Sequence, residues 1–213
     1  LLDLCDSKAI RLDDVKQLVI DEADRILDMG FADDLEAIDK RCAGRKQTLM
    51  FSATFAPKIM SLANALTTDA NRIELAHAGE KHANIEQKLH WADSMSHKHK
   101  LLEHILADAT LDQAVVFAST QVESEKIADT LRANGYEATA LHGAMPQAVR
   151  MRRLESLRKG HTKILVATDV AARGIDVPRI SHVINFGLPM KPEDYTHRIG
   201  RTGRAGRNGV AIT

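Results

Sequence analysis

Five short apolar runs recur along the chain with helical patterns between them, and this alternation restricts the fold more than any other feature. The runs are Leu18-Val19-Ile20, Thr48-Leu49-Met50-Phe51, Ala114-Val115-Val116-Phe117, Ile164-Leu165-Val166 and His182-Val183-Ile184-Asn185-Phe186. Each is too short for a helix, and its nearly continuous apolar character is that of a strand buried on both faces. Leu101, Leu102, Ile105 and Leu106 mark one helical face between Lys100 and Asp108, and Val122, Ile127, Ala128 and Leu131 mark another between Gln121 and Asn134. Thr120 and Glu123 have capping-box spacing at the start of the second helix, and Gly135 suits its end. A third helix is bracketed by Pro146 and Gly160. The β-α-β-α order predicts an α/β fold with mostly parallel sheets and helices on both faces.

The stretch from Ala76 to Asn84 has no apolar period and reads as a linker. It divides residues 1–75, one α/β unit, from residues 85–213, a unit close to ordinary domain size. Leu1-Leu2-Asp3-Leu4 carries neither a start methionine nor the features of a signal peptide. Gly209-Val210-Ala211-Ile212-Thr213 is strand-like, so both ends read as cuts through structure. Cys5 and Cys42 make neither a disulfide framework nor a zinc pattern, and a reducing cytoplasm is the expected setting. No apolar run approaches the ~18 residues of a membrane span. Basic and acidic residues balance at 29 each, so any attraction to nucleic acid must come from local clusters. Aromatics make up 4% of the chain, which argues against a base-stacking platform. His97-Lys98-His99 lacks a companion ligand at metal spacing and reads as solvated surface. Trp91 is expected to pack near the start of the second unit.

Ligands of open parallel sheets bind at the carboxyl ends of strands. Here those ends run into polar residues: Asp21-Glu22-Ala23-Asp24, Ser52-Ala53-Thr54, Ala118-Ser119-Thr120 and Ala167-Thr168-Asp169. Four such ends in two units suggest two facing sites across a cleft. An apolar strand ending in Asp-Glu is also how phosphate-transfer enzymes hold magnesium and orient a water.

The string Val19-Ile20-Asp21-Glu22-Ala23-Asp24-Arg25-Ile26-Leu27-Asp28-Met29-Gly30-Phe31 resembles the motif that names the DEAD-box ATP-dependent RNA helicases. Ser52-Ala53-Thr54, Gln147 with Arg150, Ala167-Thr168-Asp169-Val170-Ala171-Ala172-Arg173-Gly174-Ile175-Asp176 and His197-Arg198-Ile199-Gly200-Arg201-Thr202-Gly203-Arg204 follow in family order. The resemblance covers essentially the whole chain, and its connecting segments are similar to the bacterial RhlE-like group. It implies two RecA-like parallel-sheet domains, the first incomplete and the second nearly complete.

The resemblance also implies roles. Asp21 would order magnesium through water and Glu22 would be the general base for ATP hydrolysis. Asp24, Ser52, Thr54 and His197 would couple the domains. Arg201 and Arg204 would be arginine fingers, with Gly200 and Gly203 sparing bulk around them, and Asp176 would contact the ATP ribose. RNA would be held by its backbone, without sequence reading, through Gly143, Gln147, Arg150, Thr168, Arg173 and Gly174. Thr120 could join them, although capping already accounts for it. The cofactors are ATP and Mg²⁺ and the partner is RNA. Protein partners, in ribosome assembly or RNA decay, are not read from the sequence.

The 213 residues contain no Gly-x-x-x-x-Gly-Lys-Ser/Thr loop, which in the family lies upstream and cradles the ATP phosphates. The expectation is an ATP-driven RNA-unwinding or RNA-protein-remodelling enzyme when full length, with this stretch inactive alone. The alternatives are a non-catalytic RNA- or protein-binding module derived from a helicase, and a DNA-directed helicase; the complete Asp-Glu-Ala-Asp with Ser-Ala-Thr favours RNA.

Overall fold

The computed structural model describes residues 1–74, 83–172, 175, 177, 179–204 and 206–213. The chain divides into two compact units, Leu1–Glu74 and Leu75–Thr213. Most of the expected linker therefore lies outside the described residues.

In the first unit, α1 (Leu2–Asp6) precedes β1 (Gln17–Ile20), α2 (Ala23–Asp28), α3 (Ala32–Arg41), β2 (Gln47–Met50) and α4 (Pro57–Leu66). The two strands pair in parallel, from Gln17 opposite Gln47 to Ile20 opposite Met50. Leu18, Ile20 and Met50 pack with Ala23, Ile26, Leu35, Leu62 and Leu66, so α2, α3 and α4 cover one face. Among the described residues of this unit nothing packs on the other face, where Val19 is 56% exposed and Phe51 54%; an open apolar face is in keeping with the expectation of an incomplete first domain.

The second unit is a six-stranded parallel sheet in the order β3-β8-β7-β4-β6-β5. Its elements are β3 (Ile85–Lys88), α5 (Met95–Leu106), β4 (Gln113–Phe117), α6 (Gln121–Ala133), β5 (Ala138–Leu141), α7 (Gln147–Arg158), β6 (Ile164–Ala167), α8 (Asp169–Ala172), β7 (Ile180–Asn185), α9 (Pro192–Ile199) and β8 (Gly209–Ile212). β4 and β6 are buried throughout, as continuous apolar strands should be. On one face Leu102 and Leu106 of α5 and Ile127, Ala128 and Leu131 of α6 meet Val116 and Val166. On the other, Leu157 of α7 and the passing residues Ile175 and Val177 meet Val115, Leu165 and Val183. At that sheet's β3 end, Ile199 of α9 meets Ile85 and Ala211.

Local chemistry sets the helix ends. Thr120 Oγ1 accepts from the Glu123 N–H at 3.1 Å, and the Glu123 carboxylate accepts from the Ser119 N–H at 2.6 Å. Gly135 follows α6 at φ 88°, where a side chain would strain the backbone. α5 starts ahead of its apolar stripe because Ser94 Oγ accepts from the His97 N–H at 3.1 Å, which places His97-Lys98-His99 in its first turns. Trp91 departs from expectation. It is 82% exposed, since it follows β3, a strand at the sheet edge.

Candidate nucleotide and RNA site

The acidic turn of the first unit is held by hydrogen bonds that join the two strand ends. Phe51 N–H donates to Ile20 O at 2.8 Å and Ala23 N–H donates to Phe51 O at 3.0 Å. Asp21-Glu22-Ala23-Asp24 and Ser52-Ala53-Thr54 are thereby brought side by side. Ala23 is fully buried and anchors the turn, while Asp21 is exposed. Asp21 Oδ1 accepts from the Glu22 N–H at 2.9 Å. Glu22 caps α2 from a left-handed conformation, φ 51° and ψ 46°. For a residue other than glycine this costs about 1–3 kcal/mol, and such strain collects at functional sites. No motif in the sequence announced it. Ser52 Oγ accepts from the Thr54 N–H at 3.4 Å, an ordinary turn contact.

Among the described residues no three His, Cys, Asp or Glu side chains gather into a metal site. The donors that Asp21 and Glu22 offer are hard carboxylate oxygens on an exposed turn. They suit magnesium, which takes one or two carboxylates and completes its octahedron with water and phosphate.

In the second unit the described residues expected to touch RNA, Gly143, Gln147, Arg150 and Thr168, follow the carboxyl ends of the neighbouring strands β5 and β6. Leu141 stands opposite Ala167, and Thr168 N–H donates to Leu141 O at 3.3 Å. Thr168 thus lies beside the start of the loop that carries Gly143. Gln147 opens α7, and Arg150 donates to its Oε1 at 3.3 Å. The loop is tied at its root: His142 Nε2 lies 3.0 Å from Glu125 Oε1, and Arg153 donates to Ala140 O at 2.7 Å. Arg173, Gly174 and Asp176 lie outside the described residues.

Arg201 and Arg204 sit elsewhere on this unit. α9 starts beyond the carboxyl end of β7 and runs back along the sheet, until Thr202 Oγ1 donates to Ile180 O at the start of β7, at 2.6 Å. Arg201 Nε donates to His197 O at 3.1 Å and Arg204 Nε to Gly200 O at 2.9 Å. Both Nη1 groups then reach one acceptor, Ile175 O, at 3.3 and 3.4 Å. The helix ends at Ile199, so this pairing comes from the turn after it. Gly203 has its own local cause. It stands at φ 66°, and a Cβ there would lie 2.7 Å from Ile85 Cγ1, so packing against β3 requires glycine.

Sequence reasoning passed over Arg198, which the structure places at the centre of this region. It is 2% exposed and forks onto Asp169, with Nε–Oδ1 of 2.6 Å and Nη2–Oδ2 of 2.7 Å. Its Nη1 also donates to Asn185 Oδ1 at 3.2 Å and to Gly187 O, and its guanidinium lies 4.8 Å from the Phe117 ring centroid. The available signal was an arginine and an aspartate inside two motif strings, with nothing local to pair them.

The DEAD/DEAH box helicase family model matches residues 1–62, and the helicase conserved C-terminal domain model matches residues 97–206, half of the chain. The chain belongs to the DEAD-box RNA helicase family. It is 44% identical over 215 residues to the ATP-dependent RNA helicase RhlB of Pseudomonas syringae pv. tomato, and 40% identical over 213 residues to the DEAD-box ATP-dependent RNA helicase CshA of Bacillus subtilis. Each alignment covers 100% of this chain, but 54% of the RhlB and 43% of the CshA protein, so the chain spans about half the length of these relatives. Among solved structures, S. cerevisiae Dbp5 bound to RNA and ADP BeF3 superposes with a TM-score of 0.87 at 34% identity, over 99% of this chain and 56% of that one. E. coli SrmB bound to the regulator of ribonuclease activity A gives a TM-score of 0.58 at 44% identity, over 60% of this chain and 75% of that one. The α/β architecture is thus that of RecA-like DEAD-box domains. Among the described residues no helix is long and apolar enough to cross a membrane.

Proposed function

We propose that this DEAD-box chain is part of an enzyme that couples ATP binding and hydrolysis to local RNA duplex unwinding or RNA-protein remodelling. One observation carries the reading: the Asp21–Asp24 turn is hydrogen-bonded through Ala23 to Phe51, directly before Ser52-Ala53-Thr54, at the carboxyl ends of paired parallel strands. That is where an open sheet binds its ligand. The relatives are named ATP-dependent RNA helicases, and Dbp5 was solved with RNA and a nucleotide, which supports both ligands.

In this reading Asp21 would hold magnesium, through water, and Glu22 would accept the proton of the attacking water. Bound magnesium supplies charge neutralisation at the phosphates. Arg201 and Arg204, already paired on one carbonyl, present two guanidinium groups to developing phosphate charge, and Asp176 is assigned to the ribose. Gly143, Gln147, Arg150, Thr168, Arg173 and Gly174 hold the RNA backbone with amides, hydroxyls and guanidinium groups. Asp24, Ser52, Thr54 and His197 are assigned to communication between the units. The connecting segments support a place near the RhlE-like group, and the cytoplasm is the proposed compartment.

The test is Glu22→Gln in the full-length protein. The amide keeps the shape but cannot take the proton. ATP turnover should vanish while binding of a fluorescent ATP analogue persists. Near-normal turnover would remove Glu22 from the base role, and loss of analogue binding would make it a binding residue instead.

A further inference from the structure

The proposed RNA contacts and the proposed arginine fingers occupy different parts of the second unit. Thr168 and the Gly143 loop stand at the carboxyl edge, beside β5 and β6. Arg201 and Arg204 follow α9, near the start of β7. Two contacts nevertheless fasten the segment that starts at Thr168 to the α9 region. Near its beginning Asp169 grips Arg198 through two hydrogen bonds. Further along, Ile175 O receives both Arg201 and Arg204. Asp169 is the residue after Thr168, and Arg198 the residue after His197.

The Arg198 end of this link is rigid. Asn185 and Gly187 O hold the guanidinium from the β7 side, the Phe117 ring lies against it, and Asn185 is itself fixed by donating to Thr213 Oγ1 at 2.9 Å. A fork bound through both nitrogens to both oxygens of one carboxylate fixes direction as well as distance. The fork therefore ties α8 to α9 in both direction and distance.

We propose that Asp169 and Arg198 form a positioning pair that converts RNA engagement at Thr168 into the orientation of His197, Arg201 and Arg204. Neither residue touches nucleotide or RNA in this role; both act through their neighbours. The inference rests on the reading of the protein as an RNA-stimulated ATPase. It distinguishes the pair from a purely structural buried ion pair, which would support the fold without relating RNA to turnover.

The experiment uses the full-length protein and measures ATP turnover with and without saturating single-stranded RNA, KM for ATP, and the RNA concentration for half-maximal stimulation. The variants are Asp169→Asn, Arg198→Lys and the double variant. Asp169→Asn keeps the size of the side chain, and Arg198→Lys keeps the charge without the fork. The expected result is at least a tenfold loss in the ratio of RNA-stimulated to basal turnover in each single variant. KM for ATP and the half-saturating RNA concentration should change less than threefold, and the double variant should be no worse than the poorer single one. Retained stimulation in either folded single variant, or losses that multiply in the double variant, would overturn the inference. So would a loss confined to RNA affinity. Should Arg198→Lys not fold, Asp169→Asn decides alone, because Asp169 keeps 30% of its side chain exposed; should neither fold, the pair is structural and the inference fails. A wild-type protein without RNA stimulation would overturn the underlying reading itself, which separates that failure from failure of the coupling.

Discussion

Gly203→Ala isolates a steric requirement in the turn between Arg201 and Arg204. Two terms oppose the methyl group. The φ of 66° puts alanine in the left-handed region, at about 1–2 kcal/mol. The new Cβ would also lie 2.7 Å from Ile85 Cγ1 and 3.0 Å from Asn84 Nδ2, an overpacking that costs about 1–3 kcal/mol. Ile85 is buried, and Asn84 is committed to Gly203 O at 2.6 Å and Arg207 O at 2.7 Å, so neither neighbour yields cheaply. The sum is about 2–5 kcal/mol, a large part of the roughly 5–15 kcal/mol of an ordinary domain. Gly135→Ala is the control. It stands at φ 88° with nothing within 4 Å of a Cβ, so only the backbone term, about 1–2 kcal/mol, applies. Urea unfolding followed by circular dichroism compares the two with the wild type. Loss at Gly203 should exceed loss at Gly135 by about 1–3 kcal/mol. Equal losses, within about 0.5 kcal/mol, would show that β3 gives way to the methyl group and that the close approach imposes nothing.

Arg204→Ala in the full-length protein should lower RNA-stimulated hydrolysis at least about a hundredfold, since arginine fingers contribute on the order of 10³ or more; weaker RNA affinity with unchanged hydrolysis per bound complex would move Arg204 to the RNA side. A polypeptide of these 213 residues alone should bind single-stranded RNA weakly, lose that binding steeply with salt, and release no phosphate, because positioning supplies nearly all catalysis in phosphoryl transfer. RNA-stimulated phosphate release abolished by Glu22→Gln in that polypeptide would refute it. His182 is held below its ordinary value of 6.5, first by burial and then by Lys88, against the pull of Asp108. A depressed folded value means that the unfolded chain binds the proton more readily, so stability present above about pH 6.5 falls as pH drops below it. Urea unfolding at about pH 7.5 and about pH 5.5 should show this loss in the wild type and a smaller one in His182→Gln; equal losses would exclude His182 as the source.

The sequence by itself determined the central strands, the class of fold and the motif strings. Ala114–Phe117 and Ile164–Val166 are legible because a strand buried on both faces must be apolar at every position. The start of α6 is legible because a cap is a contact between Thr120 and Glu123, three residues apart. The two edge strands are not. β3 reads Ile-Glu-Gln-Lys and β5 reads Ala-Thr-Ala-Leu; each pairs with one neighbour, and β3 is exposed after Ile85. Tertiary structure alone decided the sheet order of the second unit, the exposure of Trp91 and the left-handed Glu22. It also decided the convergence of Arg201 and Arg204 on Ile175 O and the grip of Arg198 on Asp169, 29 residues apart in sequence. Periodicity reports which side of a local element is buried. It carries no information on which distant group meets a buried charge, and that is set only when the strands bring β6 and β7 to either side of β4.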